Sequence, residues 1–100
     1  MTIAAQVLET ARQQGLMIVT AESCTGGMVA SALTEIAGAS SVVERGFVTY
    51  TNAAKREMLS VCATTLDEHG AVSEAVAREM AQGALKHSHA DIAVSITGIA

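Results

Sequence analysis

Three short apolar runs, at 16–21 (LMIVTA), 46–51 (GFVTYT) and 91–97 (DIAVSIT), alternate with segments whose apolar residues recur every three or four positions. Short runs rich in β-branched residues suit buried strands, and the longer period suits helices with one buried face. Ile3, Val7, Leu8 and Ala11 share such a face ahead of Gly15, a natural helix stop. Val29, Leu33 and Ile36 share another, which Gly38 is expected to end. Residues 52–59 read as a short helix carrying Lys55 near its start. Thr64 with Asp67 three residues later resembles a capping box, opening a brief helical turn that Gly70 closes. Ser73 then caps a longer helix striped by Val76, Met80 and Ala84, with Ala77, Ala81 and Leu85 beside them. The order α-β-α-β-α-α-β predicts an α/β fold, with helices on both faces of a mainly parallel sheet.

Composition narrows this further. Half of the 100 residues are hydrophobic, yet Phe47 and Tyr50 are the only aromatics, so Ala, Val, Ile, Leu and Met must build the core. A net charge of −4 without a Lys/Arg cluster argues against a nucleic-acid surface. Cys24 and Cys62 are too few for a disulfide framework or a zinc site. No basic-then-apolar leader opens the sequence, and no apolar run nears the ~20 residues that span a bilayer. The expectation is a cytoplasmic protein with no membrane partner. The sequence lacks proline and stops directly after an apolar strand, which suggests a truncated domain.

The chemistry is expected around residues 20–27 (TAESCTGG), where the first strand hands over to a helix. A helix start offers unpaired N–H groups and a positive dipole end, suited to a phosphate or a developing oxyanion. Glycines allow a ligand close to the backbone. Two further polar stretches, 50–55 and Thr97-Gly98, also follow strand ends, where parallel sheets bind their ligands. Ser23 is either a nucleophile or a capping serine, and Thr25 competes for the cap. Glu22 is either part of the site or a favourable charge near the dipole. Cys24 is either a thiolate stabilised by the helix start or a small buried hydrophobe. The G-x-G-x-x-G, P-loop and S-x-x-K motifs are absent, so a base for Ser23 must come from elsewhere. Lys55 is either a solvated charge on a short helix, as most lysines are, or the candidate base, because partial burial can let its neutral amine accept a proton and Ser–Lys pairs are a known nucleophile–base variant. Tyr50 either orients that lysine or packs at the sheet edge. His69 suits a helix end, and His87 and His89 share no helical face, so no metal site is assigned. Arg45 and Arg56 read as solvated charges.

The runs AESCTGG, ERGFVTYTNAAKREML, HGAVSEAVAREMAQGAL and SITGIA, in this order and spacing, resemble the C-terminal domain of the CinA family over nearly the whole chain. The resemblance implies a three-layer α/β/α domain around a mixed, mainly parallel sheet, generally assembled into homo-oligomers. It implies hydrolysis of the amide of nicotinamide mononucleotide to nicotinate mononucleotide and ammonia, a pyridine-nucleotide salvage step needing no metal or cofactor. By this resemblance Ser23 is the nucleophile and Lys55 its base, with Tyr50 alongside. Glu22, Thr25, Gly26, Gly27, Thr97 and Gly98 are expected around the substrate, with N–H groups near 25–27 holding the oxyanion. The family pattern continues past SITGIA with a Gly-Pro-x-Gly-Gly loop, more strands, an arginine and a last helix. Residues 1–100 are therefore expected to be the N-terminal portion of one such domain, incomplete and impaired when alone. The alternative is a non-catalytic nucleotide-binding or assembly module of the competence/damage-inducible type.

Overall fold

Every residue of β1 (Ile18–Glu22) is buried, which requires a strand neighbour at each edge and cover on both faces. A computed structural model describes residues 1–99 and supplies both. β2 (Val43–Val48) and β3 (Ile92–Ile96) each pair with β1 in parallel, giving the order β2-β1-β3. Parallel neighbours need crossovers, and helices provide them. α1 (Ile3–Gln14) precedes β1, and α2 (Met28–Thr34) with a 3-10 turn (Ala39–Ser41) leads to β2. α3 (Asn52–Leu59), α4 (Ala63–His69) and α5 (Glu74–Lys86) lead to β3.

The pleat of β1 divides the core into two. Val19 and Ala21 pack with Leu59, Val61, Leu66, Val76, Met80 and Ala84, beneath α3, α4 and α5. Ile18 packs with Leu8, Ala11, Leu33, Ala39 and Val42, beneath α1 and α2. This is the α/β/α layering expected from the alternation, built almost entirely from aliphatic side chains. All strand pairings among the described residues are parallel, without the antiparallel member of a mixed sheet.

The helix starts follow their local chemistry. Thr2, Thr51 and Ser73 hydroxyls accept from the N–H groups of Ala5, Ala54 and Val76. Gly15 closes α1 in the left-handed conformation, at φ 68°. Four boundaries differ from the sequence reading. β1 lies at 18–22 instead of 16–21, and the N–H of Met17 goes to the Asp91 carboxylate. β2 starts three residues early and ends at Val48, because the Thr49 and Tyr50 carbonyls turn toward Lys55. Its Glu44, Arg45 and Gly46 hide an edge strand from a pattern based on apolar runs. α2 ends at Thr34, whose hydroxyl bonds back to the Ala30 and Ser31 carbonyls, and Gly38 opens the 3-10 turn instead of ending the helix. The Thr64–Asp67 capping box does not form. Cys62 is the N-cap of α4, and the Glu79 carboxylate reaches over from α5 to accept from Cys62 N–H and Thr65 hydroxyl.

α3 and α5 touch backbone to backbone at Gly83, where an added Cβ would lie 1.9 Å from the Leu59 carbonyl oxygen. Helix propensity alone favours Gly83→Ala by roughly 1 kcal/mol. The backbone clash opposes it, and overpacking of this kind costs about 1–3 kcal/mol or more. Gly83→Ala is therefore expected to lower stability, read as a reduced urea midpoint. An unchanged or higher midpoint would show that α3 and α5 can separate at little cost.

Candidate active site

Beyond Glu22 the alternation of β1 carries on for one more residue, so consecutive side chains leave the strand end in opposite directions. Glu22 turns toward α2 and Ser23 toward α3. The N–H of Ser23 donates to the Ile96 carbonyl at 2.9 Å, which ties the turn to the end of β3.

Lys55 comes to Ser23 from the second turn of α3. Thr51 fixes where that helix starts, and the Lys55 N–H donates to the Thr51 carbonyl at 3.1 Å. The side chain then runs inward until only 1% of the residue is exposed. Its Nζ lies 3.0 Å from Ser23 Oγ, 3.1 Å from the Thr49 carbonyl and 3.3 Å from the Tyr50 carbonyl. No carboxylate forms an ion pair with it among the described residues. Burial without a counter-charge pushes its pKa below the ordinary lysine value, against a smaller opposing pull from Cys24. A neutral amine has two N–H donors and one lone pair. Two carbonyls and one hydroxyl surround Nζ, so the carbonyls can take both N–H groups while the lone pair faces the Ser23 O–H.

Glu22 is fully buried. Its Oε1 accepts from the Thr25 hydroxyl at 2.7 Å and from Val29 N–H at 2.9 Å, and its Oε2 accepts from Ala30 N–H at 3.0 Å. Burial alone would raise its pKa. The Thr25 hydroxyl and the backbone N–H groups of Val29, Ala30 and Gly27 outweigh that and hold the carboxyl below its usual range. The carboxylate expected near the substrate thus accepts from the Thr25 hydroxyl and from the start of α2, which already holds an anion from the chain itself.

The remaining expected residues divide by what their atoms touch. Tyr50 gives Lys55 its carbonyl, while its side chain is exposed beyond the end of β2. Thr97 follows β3 and spends its hydroxyl proton on the Ala71 carbonyl at 2.8 Å. Gly98 lies against Cys24, whose Sγ would be 3.3 Å from an added Cβ. Gly26 and Gly27 turn the chain into α2 with φ of 59° and 107°, conformations that side chains resist. Gly26 N–H is taken by the Ser23 carbonyl and Met28 N–H by the Thr25 carbonyl. Among the described residues, the N–H groups of Cys24 and Thr25, directly after Ser23, carry no acceptor. Thr49 was not anticipated at all. A backbone carbonyl has no signature in a sequence.

The profile of the CinA C-terminal domain matches residues 1–100. The chain belongs to this family. A nicotinamide-nucleotide amidohydrolase, PncC of Escherichia coli (strain K12), is 56% identical over 100 residues, which are all of this chain and 61% of that relative. A putative competence-damage inducible protein of Caldicellulosiruptor saccharolyticus is 54% identical over 99 residues, or 24% of its length. Among solved structures, the competence/damage inducible protein CihA of Agrobacterium tumefaciens superposes with a TM-score of 0.94 at 58% identity. That match covers 96% of this chain and 58% of CihA. The CinA family chain described here thus spans about three fifths of the PncC relative it matches.

Lys55 gives the CinA family site a measurable pH signature. Below its lowered folded-state pKa, both folded and unfolded chains hold the proton, and folding carries the full cost of burying the charge. As pH rises from that pKa toward the unfolded value near 10.5, the unfolded chain binds more protons and stability increases. Lys55→Met is expected to remove this increase and to exceed the wild type in stability at pH below the window. Urea titrations of both proteins across pH test it; parallel curves would mean that Lys55 is not buried as a charge.

Proposed function

We propose that this chain carries the nucleophile and the base of an amidase that releases ammonia from nicotinamide mononucleotide by acyl transfer through Ser23. The observation that carries the reading is the buried Lys55 amine, 3.0 Å from Ser23 Oγ and bounded by two carbonyls instead of a carboxylate. A structural lysine would be expected to keep its charge and find an acid. Here the surroundings suit a base whose lone pair meets a hydroxyl. The substrate follows from the name of the E. coli relative, 56% identical over the whole chain.

In this mechanism Ser23 Oγ forms a bond to the carboxamide carbon as its proton passes to Lys55 Nζ. The carbonyl oxygen takes the displaced electron pair and is held by the Cys24 and Thr25 N–H groups, preorganised donors of the kind that stabilise such oxyanions. The Thr49 and Tyr50 carbonyls stabilise the ammonium that Lys55 has become. Lys55 then gives its proton to the departing nitrogen, the C–N bond breaks, and ammonia leaves. Water adds to the acyl ester with Lys55 accepting its proton, and that proton returns to Ser23 as nicotinate mononucleotide departs. In this reading Thr25, Gly26, Gly27, Thr97 and Gly98 contact the substrate, as the family resemblance implies, and the exposed Tyr50 side chain is available to it.

Ammonia release from nicotinamide mononucleotide by the protein bearing this chain tests the reading. Lys55→Ala is expected to lower kcat by roughly 10²–10⁴-fold, the range for a lost general base. Ser23→Ala is expected to abolish turnover while the nucleotide still binds. Wild-type turnover in either variant would refute the Ser–Lys pair. Binding without ammonia release by the wild type would support a nucleotide-binding module instead.

A further inference from the structure

We infer that Glu22 is a positioning residue for the Ser23 centre, an internal anion that sets the geometry of the turn bearing the nucleophile and the oxyanion donors. The inference rests on the Ser23–Lys55 reading, but it concerns a different group acting from the other side of the sheet. A carboxylate that is fully buried and has no cationic partner among the described residues is costly to keep. What compensates is a set of donors: the Thr25 hydroxyl and the Val29 and Ala30 N–H groups, at 2.7, 2.9 and 3.0 Å. Hydrogen bonds to an ionised carboxylate are about twice as strong as neutral ones.

These contacts close a loop. Glu22 ends β1, and its carboxylate grips α2 seven and eight residues further on, with Thr25 held midway. Its carbonyl accepts from Thr49 N–H at 2.8 Å, which fixes the carbonyl-bearing segment that holds Lys55. Ser23, Cys24 and Thr25 therefore sit inside a ring whose two ends are both anchored on Glu22. Bound substrate does not need to order this turn. A helix start that would otherwise attract an anion is filled from within.

A neutral isostere separates positioning from stability alone. Glu22→Gln keeps the size of the side chain but turns amide protons toward donors. The readout is the rate at which Ser23 is labelled by phenylmethylsulfonyl fluoride, in protein shown to be folded by circular dichroism and amide exchange. Displacing reacting groups by about 1 Å costs on the order of 10²-fold in rate. Labelling of folded Glu22→Gln is expected to slow by about that factor, and amide turnover by a similar factor with KM little changed. Labelling at the wild-type rate in folded Glu22→Gln overturns the proposal. If Glu22→Gln does not fold, Thr25→Val decides, because it removes one donor and leaves the helix N–H groups in place. It is expected to slow labelling by roughly tenfold, with Thr25→Ser restoring the rate; an unchanged rate again overturns the proposal. Failure of wild-type Ser23 to react would count against the nucleophile itself, a result distinct from either.

Discussion

The pleat at the end of β1 is the constraint on which the site depends. A strand buried on both faces must present successive side chains to opposite layers, and at its last position that rule becomes chemical. Glu22 goes to the α1–α2 layer and organises the start of a helix. Ser23 goes to the α3–α5 layer and meets Lys55. A shift of one residue in strand register would exchange them, burying the hydroxyl under α2 and aiming a carboxylate at the lysine. An ion pair would then replace the contact of Lys55 with a hydroxyl. The neighbours of β1 protect against that shift, since β2 and β3 hold it in parallel register from Ile18 to Glu22.

Keeping a lysine neutral is a question of what surrounds it. Desolvation disfavours the ammonium, and the absence of a paired carboxylate leaves that penalty unrelieved. Two carbonyls soften the penalty without reversing it, because they accept from either protonation state. They therefore satisfy the amine and the ammonium alike. A carboxylate at the same distance would stabilise only the charged form and would hold the proton on Lys55.

Much of this was legible in the sequence, and the exceptions share a cause. The alternating pattern identified the layers; positions after strand ends made Ser23 and Lys55 candidates, and the family resemblance paired them. The caps at Thr51 and Ser73 are local hydrogen bonds that residue type announces. What could not be read is long-range or made by backbone. Glu79 caps α4 from another helix, so the nearer Thr64–Asp67 pattern misled. β2 was misplaced because its middle is Glu44-Arg45-Gly46, side chains that an edge strand tolerates and an apolar run does not reveal. Glu22 was read as a charge near a dipole or as a ligand contact. Its actual surroundings, a hydroxyl and helix N–H groups closing around it, exist only once β1 and α2 have packed.

The same arrangement bears on the competing idea of a module that only holds a nucleotide. Such a module would gain from an open helix start and from a lysine carrying its charge, since both attract phosphate. In this chain the start of α2 is occupied by Glu22, and burial lowers the pKa of Lys55. Each feature weakens anion binding at this end of the sheet. The two polar side chains at the end of β1 thus serve different layers, the Glu22 carboxylate closing the start of α2 and the Ser23 hydroxyl meeting the Lys55 amine.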